Sequence, residues 1–249
     1  MSDPTSGRVV WRELNTPALD PSRAFYTALF GWETGSMDMD GTPYTLFTQG
    51  EEQVAGMMAP PMDEVPPHWL DYLTVDDVDA ARERAVALGG VALTEAMDVP
   101  NIGRMAVVQD PAGATFALFR SLTPGASGDA PPPVGTFCWS MLMSADLARV
   151  TPFYAAMFGW EPVVQGPMVL FNRNGRTVSS GVTAPKGVPS HWLAYVAVSD
   201  CDTSAARAVG LGAVQQVGPT DMPGMGRFAV LADPGGAVFA LWKDMGARG

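Results

Sequence analysis

Few side chains in this 249-residue sequence are equipped for proton transfer, nucleophilic attack or metal binding, and most of those come in matched pairs. The two histidines, His68 and His191, each open a His-Trp-Leu tripeptide. An imidazole titrates near neutral pH and suits general acid/base work. A strand-edge histidine bonded to backbone explains better why both places carry one. Glu13 is more distinctive, because its counterpart is Met141. Such a carboxylate can anchor a hydroxyl or a cationic amine, can abstract a proton once burial raises its pKa, or can be a solvated strand residue. Arg104 and Arg227 each follow a glycine and can clamp an anion, though a bond to a turn carbonyl is the plainer expectation. Cys138 and Cys201 fall opposite Val10 and Val78, so both read as buried apolar side chains and not as a bridge, a metal pair or a nucleophile. No Gly-rich phosphate loop, nucleophile elbow or Cys-x-x-Cys pair occurs, which leaves phosphoryl transfer, serine hydrolysis and dithiol redox chemistry without support.

The matching arises because the chain repeats itself. The run Phe25-Tyr26-Thr27-Ala28-Leu29-Phe30-Gly31-Trp32-Glu33 returns from Phe153 to Glu161, and 153 less 25 is an offset of 128. His68-Trp69-Leu70 returns at His191, and Gly103-Arg104 with Asp110-Pro111 returns as Gly226-Arg227 with Asp233-Pro234, each offset by 123. The second copy has therefore lost five residues between Trp160 and His191. Between the copies, Pro124, Gly125, Gly128 and Pro131-Pro132-Pro133 read as a linker. The expected organisation is a first domain at 8–122, a linker at 123–134 and a second domain at 135–245.

Within each copy the elements alternate in type. Residues 9–14 read as a strand, after which Asp20-Pro21 is expected to cap a helix that Gly31 stops. Residues 44–48 and 53–58 read as strands, and 68–75 opens a second round with another. Asp76-Asp77 caps a second helix, whose apolar positions Val78, Ala81, Ala85 and Leu88 have helical spacing. Residues 105–109 and 115–119 then read as strands around an Asp-Pro-x-Gly turn. The fold class is α+β, with strand, helix and further strands occurring four times.

Composition narrows the partners. With 15 Lys and Arg against 26 Asp and Glu, the net charge is −11, so a phosphate backbone is repelled and nucleic acid is not expected as a partner. No apolar run of membrane-spanning length and no secretion signal is found, so the expected location is the cytoplasm, with no membrane association.

The element order, the Phe-Tyr pair of the first helix, Asp77-Val78-Asp79-Ala80 at the second and the Asp-Pro-x-Gly turns together resemble the vicinal oxygen chelate (glyoxalase, bleomycin-resistance and dioxygenase) superfamily. The resemblance covers nearly the whole chain and implies four βαβββ modules in two tandem domains, with sheets curled around a cavity. It also implies where a metal would sit, since superfamily enzymes hold a divalent ion with His or Glu from the first, middle and last strands. Those positions fall on Trp11, Leu70 and Ala117, and in the second copy on Trp139, Leu193 and Ala240. None carries a metal donor, so neither a metal nor another cofactor is expected.

Strand alternation places Trp11, Glu13, His68, Leu70, Tyr72 and Phe119 on the implied cavity side in the first copy. Trp139, Met141, His191, Leu193, Tyr195 and Trp242 take those places in the second. Asp71 is sent to the face opposite Leu70. An aromatic, apolar lining with few polar groups suits a flat, hydrophobic aromatic small molecule. The first expectation is therefore a metal-independent binding protein acting in natural-product sequestration, resistance or biosynthesis. A cofactor-free cyclase, isomerase or lyase using Glu13 or His68 is the alternative, and a metal-dependent glyoxalase or dioxygenase with displaced ligands is the third. The chain is expected to be a monomer of two domains or a homodimer.

Overall fold

The computed structural model of the chain describes residues 6–39, 41–62, 64–123 and 132–246. The linker expected at 123–134 therefore lies mostly outside the described residues. In the first repeat the order is β1 (Val9–Asn15), α1 (Leu19–Phe30), β2 (Glu33–Met39), β3 (Thr42–Gln49) and β4 (Glu52–Met58). It continues with β5 (His68–Thr74), α2 (Val78–Ala87), β6 (Val91–Ala92), β7 (Met97–Val99), β8 (Gly103–Gln109) and β9 (Thr115–Ser121). The second repeat gives β10 (Phe137–Ser144), α3 (Leu147–Phe158), β11 (Glu161–Gln165), β12 (Met168–Arg173) and β13 (Arg176–Thr183). Then follow β14 (His191–Ala197), α4 (Cys201–Gly210), β15 (Val214–Met222), β16 (Gly226–Ala232) and β17 (Val238–Asp244).

Each repeat supplies one sheet. The first has the order β2-β3-β4-β1-β5-β9-β8-β6, with β7 beside β8, and the second has β11-β12-β13-β10-β14-β17-β16-β15. Hairpins give antiparallel neighbours, whereas β1–β4, β5–β9, β10–β13 and β14–β17 run parallel. The pairing also locates the five lost residues. Phe47 lies opposite Ala55 just before a bulge, and Phe171 lies opposite Ser179 just before another, so the offset there is 171 less 47, or 124. Four residues have therefore gone before that point, in the β11–β12 half of the module, and one after it.

The helix ends follow from local chemistry. Gly31 and Gly159 take left-handed backbone angles, φ 74° and 66°, and return their N–H groups to Thr27 and Ala155 carbonyls, closing α1 and α3. Asp77, Asp146 and Asp200 cap α2, α3 and α4 by accepting from the backbone N–H three residues on. The start of α1 differs from expectation. The helix begins at Leu19, with Ala18 as its N-cap and no side-chain cap. Asp20 pairs with Arg23 on the same turn, and Thr16 Oγ1 accepts from the Ala18 N–H, so the carboxylate is drawn away from capping. Pro21 still falls in the first turn, where its missing N–H leaves no bond unmade.

The chain packs as two compact units that interleave the repeats. Among the described residues, one contains 6–10, 70–123 and 140–192, and the other 11–69, 132–139 and 193–246. In the first unit α2 and α3 share a core in which Val78, Ala81 and Ala85 meet Phe116, Phe153 and Tyr154. In the second, α1 and α4 share a core of Phe25, Tyr26, Leu29, Cys201, Ala205 and Phe239. Trp32 lies in that core, donating its Nε1–H to the Gly135 carbonyl at 2.7 Å and packing on Phe137.

Candidate functional site

Most repeated motifs prove to hold the fold. In the first unit Tyr154 of α3 donates to Asp110 at 3.0 Å and accepts from Trp192 Nε1 at 3.1 Å, all three residues being buried. In the second unit Trp69 Nε1 donates to the Tyr26 hydroxyl at 3.0 Å, and that hydroxyl bonds to Asp233, which also accepts from Ser22. The Phe-Tyr, His-Trp and Asp-Pro motifs are thus three parts of one buried relay, made once in each unit. Burial raises the pKa of both aspartates, with backbone donors in their turns pulling the other way.

Arg104 is held by Asp79 through two nitrogens and by Asp98, and Arg227 is held in the same way by Asp202 and Asp221. This corrects the expectation of a turn carbonyl. A planar guanidinium between two carboxylates has its fork already engaged, which also removes it as an anion clamp. The preceding glycines have a packing reason. A Cβ on Gly103 would stand 2.9 Å from the Phe119 ring, and one on Gly226 would stand 2.4 Å from the Trp242 ring. Both thiols are free, and burial pushes each up to about 11, so neither is a thiolate near neutral pH.

His68 and His191 each direct Nδ1 at a carbonyl two residues back, Pro66 and Pro189, at 2.8 Å. A carbonyl only accepts, so Nδ1 carries the proton in both. Burial lowers the His68 pKa, which keeps that ring neutral at physiological pH.

Within the second unit, Trp11, Glu13, Asn15 and Tyr44 gather on one side of the β1–β3–β4 strands. Leu14, Phe47, Ala55 and Met57 point the other way, into the core with α1. Trp11 Nε1 donates to the Tyr44 hydroxyl at 3.1 Å, Tyr44 donates to Glu13, and Asn15 Nδ2 donates to Glu13 Oε1 at 3.2 Å. Trp11 is half-buried, whereas Glu13, Asn15 and Tyr44 are 6 %, 4 % and 6 % exposed. Burial and the Glu13 charge push the Tyr44 pKa far up, so its phenol stays protonated and acts as a donor. Tyr44 can reach this place because Gly56, opposite Glu13 in the parallel pair, has no side chain; a Cβ there would lie 1.6 Å from the Tyr44 oxygen. Tyr44 and Asn15 were not among the expected site residues. Asn15 follows Glu13 at the same-face spacing of two and was open to discovery, but Tyr44 depends on cross-strand register.

The corresponding positions of the second repeat are Trp139, Met141, Met143 and Met168. Three thioethers replace a carboxylate, an amide and a phenol. Met141 lies opposite Ser180 in β13.

The remaining expected residues fall into two aromatic pairs. Tyr72 and Phe119 meet edge to face at 5.9 Å in the first unit, with the Tyr72 hydroxyl 3.9 Å from Met105 sulfur. Tyr195 and Trp242 meet likewise at 6.3 Å in the second. Leu70 and Leu193, where the resemblance implies a middle-strand ligand, are buried, as are Ala117 and Ala240, which lie opposite Tyr72 and Tyr195 across the parallel pairs. Asp71, on the other face from Leu70 and Tyr72, is 1 % exposed and acts electrostatically on Tyr154. Among the described residues, no group of three or more His, Cys, Asp or Glu side chains is placed to hold a metal ion. The donor set therefore does not fit the metal centre that the superfamily implies. No helix among the described residues is long and apolar enough to cross a membrane.

Modules of this order, pairing strands in this way, define a glyoxalase-type fold. The chain belongs to the glyoxalase/bleomycin resistance protein/dioxygenase superfamily, matching that family over residues 8–118 and a glyoxalase-like domain over 139–242. It is 34% identical over 253 residues to CFP32 of Mycobacterium tuberculosis, provisionally named a glyoxylase, covering 97% of each chain. It is also 34% identical over 259 residues to the anthracycline biosynthesis protein DnrV of Streptomyces peucetius, covering 94% of this chain and 92% of that one. Among solved structures, the Mn(II)-bound glyoxalase of Novosphingobium aromaticivorans aligns over 100% of this chain and 86% of its own, with a TM-score of 0.65 at 19% identity, a likeness of fold.

Proposed function

We propose that this chain binds a flat, hydrophobic, polycyclic aromatic small molecule without a metal ion, as a sequestering, resistance or accessory protein of natural-product biosynthesis. The reading is carried by Trp11, Leu70 and Ala117 standing where the resemblance implies ligating side chains, with Glu13 buried on the same face of its strand as Trp11. Aromatic rings offer stacking and edge contacts to a fused ring system, and a few polar atoms then fix its orientation. The relatives named for anthracycline biosynthesis support such a ligand, since anthracyclines are planar tetracyclic compounds. We place the protein in the cytoplasm as a monomer or homodimer, with sequence domains at 8–122 and 135–245.

The test is titration of purified protein with tetracyclic aromatic compounds, followed by tryptophan fluorescence. Saturable quenching with one-to-one stoichiometry supports the proposal, and no change for any fused-ring compound removes it. A second reading, a cofactor-free cyclase, isomerase or lyase, draws on Glu13, a buried carboxylate fixed by two donors. Turnover by the wild type that Glu13→Gln abolishes while binding persists would favour that reading over simple sequestration.

A further inference from the structure

We propose that the ligand carries a protonated amine on its ring system, and that the polar pole taking it is the Glu13–Tyr44–Trp11 cluster of the first repeat. This rests on the binding reading above and names the ligand chemistry and the repeat that reads it.

The cluster joins a buried carboxylate to an indole and a phenol ring, the combination that stabilises an ammonium group both by charge and through ring faces. The Tyr44 phenol stays protonated and donates to Glu13, so it orients the carboxylate and takes no proton from a ligand. Asn15 fixes Oε1 from its own strand, 3.2 Å away. Trp11 is half-buried, whereas Glu13, Asn15 and Tyr44 are nearly inaccessible, so the indole is the most exposed ring of the cluster and the carboxylate lies almost out of solvent. A cation reaching that depth meets a charge that burial leaves poorly screened. The chain's net charge of −11 adds attraction at long range.

The second repeat shows that the fold does not need this cluster. Met141, Met143 and Met168 stand at the positions of Glu13, Asn15 and Tyr44 in an otherwise parallel module. An apolar filling therefore satisfies the same strands. Gly56 adds to the case, because its missing side chain is the space that the Tyr44 hydroxyl occupies.

Isothermal titration calorimetry with 1-pyrenemethylamine and its N-acetyl derivative tests this, the two probes sharing a ring system and differing in charge. Wild-type protein is expected to bind the amine about tenfold more tightly than the amide. Glu13→Gln is expected to lower amine affinity and so bring the two within twofold of each other. Should that variant not fold, Gly56→Ala displaces Tyr44 and is expected to erase the preference in the same way. Equal wild-type affinities, or a preference that outlives both variants, overturn the amine assignment and leave aromatic binding standing. Binding of neither probe removes this proposal, and the binding reading falls with it only when the tetracyclic compounds also leave the tryptophan fluorescence unchanged.

Discussion

The residues that stand out in the sequence divide by what their polar atoms touch. Tyr154, Asp110 and Trp192 touch each other inside a core, so their work is structural. Tyr154→Phe leaves one Asp110 oxygen and the Trp192 N–H each short of a partner, which is expected to cost about 1–3 kcal/mol in denaturant unfolding. His68 offers a pH test. Its folded pKa lies below the ordinary 6.5 because burial disfavours the imidazolium. The unfolded chain therefore binds the proton more readily, and the stability that neutral His68 contributes is complete above about pH 6.5 and lost as pH falls through the folded value. Thermal melts from pH 8 to pH 5 should show a smaller acid loss for His68→Gln than for wild type, and equal losses would contradict the assignment. Face assignment was legible at this scale, since a period of two separates Glu13 and Trp11 from Leu14, and Leu70 from Asp71. Tyr44 was not, because its reach to Glu13 is set by β1–β3–β4 register and by Gly56, and neither is a local property of the sequence.

Elements were read well where a terminator or cap is written into the chain. Gly31, Asp77 and the Asp-Pro-x-Gly turns mark ends that the structure keeps. The start of α1 was misplaced by local competition, because Asp20 has Arg23 within its own turn to pair with. The edge strands β2, β11 and β15 were implied only by the family's module, since their residues are mostly exposed and carry little apolar alternation. The β16–β17 pair supports the Tyr195–Trp242 contact through Gly226, where an added Cβ would meet the Trp242 ring at 2.4 Å and the Lys243 carbonyl at 2.5 Å. Gly226→Ala is therefore expected to lower unfolding free energy by about 1–3 kcal/mol, the usual cost of overpacking. Gly35→Ala in β2, where nothing lies within 4 Å of the new Cβ, is the control and should change stability little.

At the scale of the molecule, the repeat was plain from sequence but its interleaving was not. Apolar spacing says which face of a helix is buried, and it does not say which helix covers that face. The core around Phe25 and Tyr26 takes Phe239 and Leu231 from the other end of the chain, and the core around Phe116 takes Phe153 and Tyr154. Residues 8–122 produced alone would carry only part of each core. They are expected to be unfolded or to associate with a second copy, as read by circular dichroism and light scattering; a stable monomer would contradict the interleaving. We propose that recognition comes from aromatic side chains and one buried carboxylate, with no ion taking part. The most direct test is the affinity for a fused-ring ligand before and after exhaustive chelation, with metal content measured alongside. Sub-stoichiometric metal and unchanged affinity are expected, whereas stoichiometric Mn, Fe or Zn whose removal abolishes binding and whose return restores it would contradict the account.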